Sequence, residues 1–426
     1  MDGENAMVEI RKPISITEAI ARVMAYIQMT EQEVVPLMES YGRVLAESIV
    51  AKHDVPPFHR APYDGFAIRS EDSRLASEHN RICFRVVEQI GAGGLASRAI
   101  EQGEAIRIMT GAAMPPHTDA VVMLEQAKSF EKENYFTIRK PFEAWENVSL
   151  QGEDVKVDEI LVDDGNYIHP GTIALLATFG YDTVQVAKRP LVSLITTGSE
   201  LLRVEEELVP GKIRNSNGPM IAAQLARMGI SLQFNSKLED DMESCLKGIQ
   251  QALAVTDCVI TTGGVSVGDY DYLPAIYEKL GAKVLFNKVA MRPGSVTTVA
   301  VLNGKYLFGL SGNPSACYIG FELFVRPVLL SMMGCKKPYL PYTQAVLLED
   351  FTKANPFTRF VRAIHVFDGA GAKVIPAGFN KSNAVSSIAR GNAFIVLPGG
   401  TRGYQAGDVV DVLLLGAEEG EEKWLI

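Results

Sequence analysis

The first regular pattern along the chain is helical. Ile16, Ile20, Val23, Met24 and Ile27 recur three and four residues apart, and Ser15 with Glu18 fits a capping box, so a helix is expected over 15–28. His53-Asp54-Val55-Pro56-Pro57-Phe58 then reads as an extended connector. From 51 to 149 short apolar stretches stand between Gly and Pro, and 67–68, 83–87, 105–109 and 120–124 are expected as strands of a small β-rich domain. In 150–188, His169-Pro170-Gly171 leads into a short apolar helix at 172–179 and a strand at 184–186. This stretch is either a linker or the second piece of a discontinuous domain begun by 1–50.

The alternation becomes regular from 189 to 336. Strands are expected at 191–196, 232–235, 258–262, 284–286 and 306–310, and helices at 219–228, 242–254, 273–280 and 314–333, the last with an internal proline, Pro327. Strands alternating with helices predict a largely parallel, doubly wound α/β sheet covered on both faces. The stretch 337–426 returns to strands, at 345–348, 360–366, 373–376, 393–397 and 409–415, and predicts a small β-barrel or sandwich.

Composition narrows the function classes. The chain has 426 residues, 47% of them hydrophobic, which suits several buried cores. Lys plus Arg is 41 and Asp plus Glu is 51, a net charge of −10, which argues against nucleic acid and against a polybasic membrane anchor. No apolar run approaches 18 residues, so no membrane-spanning helix is expected. Cys83, Cys245, Cys258, Cys317 and Cys335 are scattered and form no C-x-x-C, which predicts free thiols and a cytoplasmic setting.

In an open α/β sheet, ligands bind beyond the carboxyl ends of the strands. Three polar, glycine-bearing loops fall there: Thr196-Thr197-Gly198-Ser199-Glu200, Thr261-Thr262-Gly263-Gly264-Val265-Ser266-Val267-Gly268-Asp269, and Ser311-Gly312-Asn313-Pro314-Ser315. Small residues let backbone N–H groups approach an anion. One such loop is most often only a turn; three at consistent strand ends point to a phosphate-binding site. Glu200, Asp240, Asp241, Asp269 and Asp271 accompany them, as hard oxygen ligands suited to Mg²⁺ beside phosphate, or else as ordinary caps and surface charges. Lys288 and Arg292 are candidate anion ligands. A Rossmann fingerprint and a P-loop are both absent, and the six histidines show no metal-ligand spacing. Pro62-Tyr63-Asp64-Gly65-Phe66-Ala67 and Arg107-Ile108-Met109-Thr110-Gly111-Ala112 are distinctive; read blandly, they are a hairpin turn and a loop.

Together these segments resemble the MoeA family, the molybdopterin molybdenumtransferases, which are related to the E domain of gephyrin. The resemblance also rests on Asp119-Ala120-Val121-Val122, Asn215-Ser216-Asn217 and Gly391-Asn392-Ala393-Phe394-Ile395-Val396-Leu397-Pro398, and runs in order along almost the whole chain. It implies four domains: a discontinuous elongated domain of 1–50 and 150–188, a β-rich domain of 51–149, an α/β molybdopterin-binding domain of 189–336 resembling the adenylyltransferases, and a C-terminal β-barrel of 337–426. It implies an elongated homodimer whose site lies between the α/β domain of one subunit and the β-rich domains of the other. The implied reaction inserts molybdate into adenylated molybdopterin and releases AMP, with Mg²⁺ at the pyrophosphate. A molybdopterin adenylyltransferase and molybdoenzyme-maturation proteins are implied partners.

Carried over, the family's functional residues fall on Asp64, Thr110, Glu200, Lys288 and Arg292 for the reaction and on Asp240 or Asp241 and Asp271 for the metal. Substrate contacts fall on the three loops (Thr197, Gly198, Ser199, Gly263, Gly264, Ser266, Gly312, Asn313 and Pro314) and on Arg362 and Ser382. The chain departs from the family pattern K-P-G-K-P at Arg292-Pro293-Gly294-Ser295-Val296, from S-A-M-D-G at Ala61-Pro62-Tyr63-Asp64-Gly65, and at Ser311, where proline is common. Two other readings stand beside it: a pterin-adenylylating enzyme, which would not need 1–188 or 337–426, and a peptide-binding scaffold of the gephyrin E-domain kind.

Overall fold

The computed structural model describes residues 12–130, 134–238, 241–263, 273–353, 356–369 and 371–416. The chain forms two compact units, one of Met1–Glu47, Asp164–Pro170 and Thr183–Ile426, the other of Ser48–Asp163 and Gly171–Asp182.

The first unit is built on a six-stranded sheet in the order Leu232–Leu238, Val192–Thr197, Cys258–Thr262, Lys305–Leu310, Thr298–Leu302, Lys283–Phe286. The first four strands are parallel neighbours, and Thr298–Leu302 runs against both strands beside it. That reversed strand was not expected from the sequence. It is the first arm of a hairpin closed by Asn303-Gly304, both with positive φ, a dipeptide that suits a two-residue turn.

Alternate residues of the strands enter two different cores, as a doubly covered sheet requires. Leu194, Ile260 and Phe308 pack with Ile221, Leu225 and Phe321 on one face. Ile195, Val259 and Leu307 pack with Ile249, Ile276 and Tyr277 on the other. The first helix, Ile16–Met24, adds Ala19 and Val23 to the former core. Ser15 caps it by accepting from the Glu18 N–H at 3.1 Å, but the Glu18 carboxylate pairs with Arg22. The helix stops short of the expected end and passes into single turns at Tyr26 and Ile27. Strand Gln32–Pro36, also unforeseen, pairs antiparallel with Thr183–Ala187.

The long helical path after Pro314 has three parts: α-helix Pro314–Gly320, a π-turn at Phe321–Val325, and α-helix Arg326–Met332. The widened turn lies just before Pro327, whose missing N–H breaks the hydrogen-bond ladder. By length and composition Pro314–Met332 could cross a membrane, which the search for an unbroken apolar run missed because Glu322 and Arg326 interrupt it. It is a core helix, 83% buried in the protein over its most apolar stretch.

The C-terminal strands close into a barrel. Thr358–Phe367, Ala372–Pro376, Tyr342–Leu347, Val409–Leu414 and Ala393–Leu397 pair in turn, and the last returns to the first. Ala345, Val361, Val374, Ile395 and Val412 fill it. Met291–Arg292 pairs with the start of Thr358–Phe367.

The second unit carries a six-stranded sheet in the order Ala120–Met123, Gly65–Ile68, Glu104–Ile108, Ile82–Ile90, Tyr135–Ile138, Lys128–Phe130. Its two faces bury separate cores, one around Phe66, Phe84 and Phe136, the other around Ala67, Ile106 and Val121. All five cysteines are free thiols.

Candidate functional site

Strands Val192–Thr197, Cys258–Thr262 and Lys305–Leu310 are adjacent and parallel, so their carboxyl ends bring Thr197-Gly198-Ser199-Glu200, Gly263 and Ser311-Gly312-Asn313-Pro314 to one edge of the sheet. The approach is close. Gly263 has a φ of +92°, and a Cβ there would lie 2.4 Å from the Thr197 carbonyl oxygen. Asn217 ties two of the loops: its Nδ2 donates to Thr262 Oγ1 at 2.8 Å and to the Gly312 carbonyl at 2.9 Å. Asn215 Nδ2 donates to Thr196 Oγ1 at 3.2 Å. Thr197 Oγ1 and Asn217 Oδ1 are buried and have no hydrogen-bond partner among the described residues. Glu200 is exposed and folds back over Gly198, while the Ser199 carbonyl accepts from Lys212 Nζ at 2.6 Å. Asn313 and Pro314 occupy the cap and first positions of helix Pro314–Gly320, though the Asn313 side chain makes no cap bond.

Beside these loops the barrel completes a polar cleft of about 670 Å³. Its walls include Arg292, Ser295, Asn313, Arg359, Lys381 and Ser382. Arg292 and Arg359 are register partners of two parallel strands, so two guanidinium groups face one region. Neither forms an ion pair among the described residues. Arg359 Nε is buried without a partner, and burial, with the neighbouring Arg292 charge, lowers the Arg359 pKa. A cationic pair left without a carboxylate is a site for an oxyanion. Ser315 anchors the facing loop: its N–H donates to the Ser382 carbonyl at 3.1 Å and its Oγ to the Ala384 carbonyl at 2.6 Å.

Arg362, which the resemblance gave as a substrate contact, lies inside the barrel domain beside the cleft. It is 1% exposed, and it donates to Ser387 Oγ and to the carbonyls of Phe379 and Lys381. Burial, then the Arg359 charge, pulls its pKa down to about 10. As placed, Arg362 shapes the loop that carries Ser382. Lys288 is half-buried, and its carbonyl accepts from the Ile14 N–H at 3.2 Å; it does not line the cleft.

In the other unit, Asp64 and Thr110 meet. Asp64 Oδ1 accepts from the Thr110 N–H at 2.7 Å and from its Oγ1 at 2.8 Å. Asp64-Gly65 is therefore no hairpin turn. Gly65 opens a strand at a point where a Cβ would lie 2.1 Å from the Val122 carbonyl oxygen. The backbone N–H, then the hydroxyl, hold the Asp64 carboxyl below its ordinary range. A carboxyl depressed on folding adds stability above its unfolded pKa and loses it as the pH falls through the folded one. Thr110→Val removes the lesser of the two donors, so the Asp64 carboxyl is expected to titrate at higher pH while staying below its ordinary value. A ¹³C titration of the carboxyl carbon checks this, and an unmoved midpoint would refute it.

The Mg²⁺ expectation meets a partial set. Asp240, Gly264, Ser266, Asp269 and Asp271 lie outside the described residues. Asp241 caps helix Met242–Val255, accepting from the Ser244 N–H at 2.9 Å. Hydrogen bonds from Ser244, side chain before backbone, lower its pKa. Asp241→Ala removes this cap and is expected to lower the urea-unfolding midpoint; an unmoved midpoint would refute it. Among the described residues no group of three His, Cys, Asp or Glu is placed to hold a metal. Among the described residues Glu200 is the expected acidic residue at this sheet edge not committed to a cap, so those residues do not form a magnesium site by themselves.

Sequence reasoning missed Arg359 and Lys381, which sit on the barrel far along the chain from Arg292. Their signal is tertiary. Asn215 and Asn217 were visible in the sequence, but only the structure shows that they tie the strand ends.

Comparison with known proteins covers nearly the whole chain. Family models match in three places: the MoeA N-terminal region (domain I and II) over residues 14–180, a probable molybdopterin binding domain over 193–331, and the MoeA C-terminal region (domain IV) over 344–415. A curated molybdopterin molybdenumtransferase of Staphylococcus epidermidis is 55% identical over 419 residues, 98% of this chain and 100% of that protein. One from Staphylococcus aureus is 53% identical over 99% of this chain and 100% of its own length. A crystal structure of a molybdopterin biosynthesis moeA protein from Pyrococcus horikoshii superposes with a TM-score of 0.82 at 30% identity, covering 95% of this chain and 100% of that one.

Proposed function

Since this chain belongs to the MoeA family, and so to molybdenum cofactor biosynthesis as a transferase, we propose that it inserts molybdate into adenylated molybdopterin and releases AMP. The observation that carries this reading is the cationic cleft at the strand ends, where Arg292 and Arg359 face each other without a carboxylate partner. A molybdate dianion matches that charge, with Ser382 and Asn313 as further hydrogen-bonding groups on the cleft walls. The loops at Thr197, Gly263 and Gly312 are suited to a pyrophosphate, because small residues open backbone N–H groups to it.

The bond changes need no protein nucleophile. Molybdenum gains two sulfur ligands as the substrate's two dithiolene thiols displace one oxo group, which leaves as water with the two thiol protons, and a water adds across the phosphoanhydride bond to give the pterin phosphate and AMP. The protein's part is to hold the oxyanion beside the thiolates and to orient the anhydride. Mg²⁺, held by Asp271 and Asp240 together with substrate phosphate, belongs to this proposal and rests on residues outside those described. So does catalysis by Asp64 and Thr110. A homodimer, association with a molybdopterin adenylyltransferase and with molybdoenzyme-maturation proteins, and a cytoplasmic location complete the proposal.

Purified protein mixed with adenylated molybdopterin, molybdate and Mg²⁺ is expected to release AMP together with active cofactor. Cofactor formation without AMP would refute the adenylated substrate, and equal rates in a chelator would refute the magnesium role.

A further inference from the structure

A second cavity, of about 590 Å³, lies in the first unit, lined by none of the residues assigned to the transfer reaction. Arg189, Arg227 and Arg326 stand in its wall, and Met228, Leu340 and Leu414 give it an apolar side. The charges do not cancel. Glu322, fully buried, takes Arg227 at 2.5 Å and stands 3.9 Å from Arg326. Arg43, nearby, is already paired with Glu33. Arg189 makes no hydrogen bond or ion pair among the described residues, and its guanidinium lies against Gly229, where a Cβ would come within 2.5 Å of Nη2. Burial, then the Arg43 charge, lowers the Arg189 pKa. Arg227 and Arg326 thus share Glu322, while Arg189 and Arg43 stand near Glu33, so four guanidinium groups are set against two carboxylates around a partly dehydrated wall, an excess that a bound anion stabilises. Each of the other two has a further donor engaged, Arg326 Nη1 on the Pro338 carbonyl at 2.8 Å and Arg227 Nη1 on that of Leu415 at 3.4 Å. Arg189, with none of its donors engaged among the described residues, has the most to offer.

We propose that this cavity binds a carboxylate carried on an apolar body, with Arg189 as its anchor. That chemistry has two sources. One is a free organic acid. The other is the chain itself, because Gly416 lines the cavity and the sequence after it reads Ala417-Glu418-Glu419-Gly420-Glu421-Glu422-Lys423-Trp424-Leu425-Ile426, acidic and then apolar.

Calorimetric titration of the full chain with 4-phenylbutyrate tests the proposal and separates the sources. Saturable binding by the unaltered chain that weakens about tenfold or more in Arg189→Gln, and stays within about threefold in Arg189→Lys, supports the free acid. Binding seen only when Glu418, Glu419, Glu421 and Glu422 are all changed to Gln, and lost again on adding Arg189→Gln, supports the chain's own glutamates. No saturable binding in either protein, or binding indifferent to Arg189→Gln, overturns the proposal. AMP release is expected to be unchanged in Arg189→Gln, which keeps this test separate from that of the transferase reading.

Discussion

Arg292→Gln together with Arg359→Gln is expected to lower kcat/KM for molybdate by about 100-fold or more. Each charge-assisted hydrogen bond to a dianion is worth about 1.5–3 kcal/mol, or about 10- to 150-fold, and the two groups flank one cleft. The losses are not expected to add fully, because either arginine alone can turn toward the ligand. The variant's stability separates this from a structural role. Two like charges face each other in the free protein, and neither is ion-paired among the described residues, so removing both is expected to leave the unfolding midpoint unchanged or raise it. A molybdate titration that superposes on that of the unaltered chain would end the assignment. So would a loss of activity that merely follows a loss of folded protein.

The largest expected effect on stability belongs to Glu322→Ala. Glu322 is 1% exposed, within the π-turn, and accepts from Gln224 Nε2 at 2.8 Å and Arg227 at 2.5 Å. Deleting the carboxylate leaves two guanidinium groups without their shared counter-charge, which costs about 3–5 kcal/mol for a buried pair. Glu322→Gln keeps an acceptor for Gln224 while losing the charge, and is expected to fall between. Guanidinium-chloride unfolding followed by circular dichroism provides the comparison. Equal midpoints for Glu322→Ala and the unaltered chain would mean that the cluster contributes nothing net.

The elements that could be read from sequence are those whose own pattern is strong. Val192–Thr197, apart from Ser193, and Cys258–Thr262 are runs of apolar or β-branched residues, and Met242–Val255 has a helical stripe beginning at a capping aspartate. Thr298–Leu302 was missed although Asn303-Gly304 signals its hairpin, because its neighbours set the expectation of parallel strands. Gln32–Pro36 was missed because Val35 is its one buried residue, so no alternation shows.

The site divides along the same line. The three loops were legible because each follows a strong strand. Arg362 carried a role by resemblance, but its burial under the loop at 379–381 depends on how the barrel closes. Arg359 could not be found from sequence, since only the pairing of Met291–Arg292 with Thr358–Phe367 sets it opposite Arg292. At Ser295 the chain lacks a lysine of the family pattern, and Arg359 supplies a second cation to the same cleft.

The division of the chain also sets an order of assembly. Ser48–Asp163 and Gly171–Asp182 close a unit from segments that are near one another in sequence. The first helix belongs elsewhere: its Val23 carbonyl accepts from Tyr306 Oη, 283 residues later. During synthesis the inserted unit can therefore be complete while Ile16–Met24 still lacks its core. The apolar face of that helix, which packs on Lys283–Phe286 and Phe321–Val325, lacks its partners until those segments leave the ribosome, an interval in which it is open to aggregation.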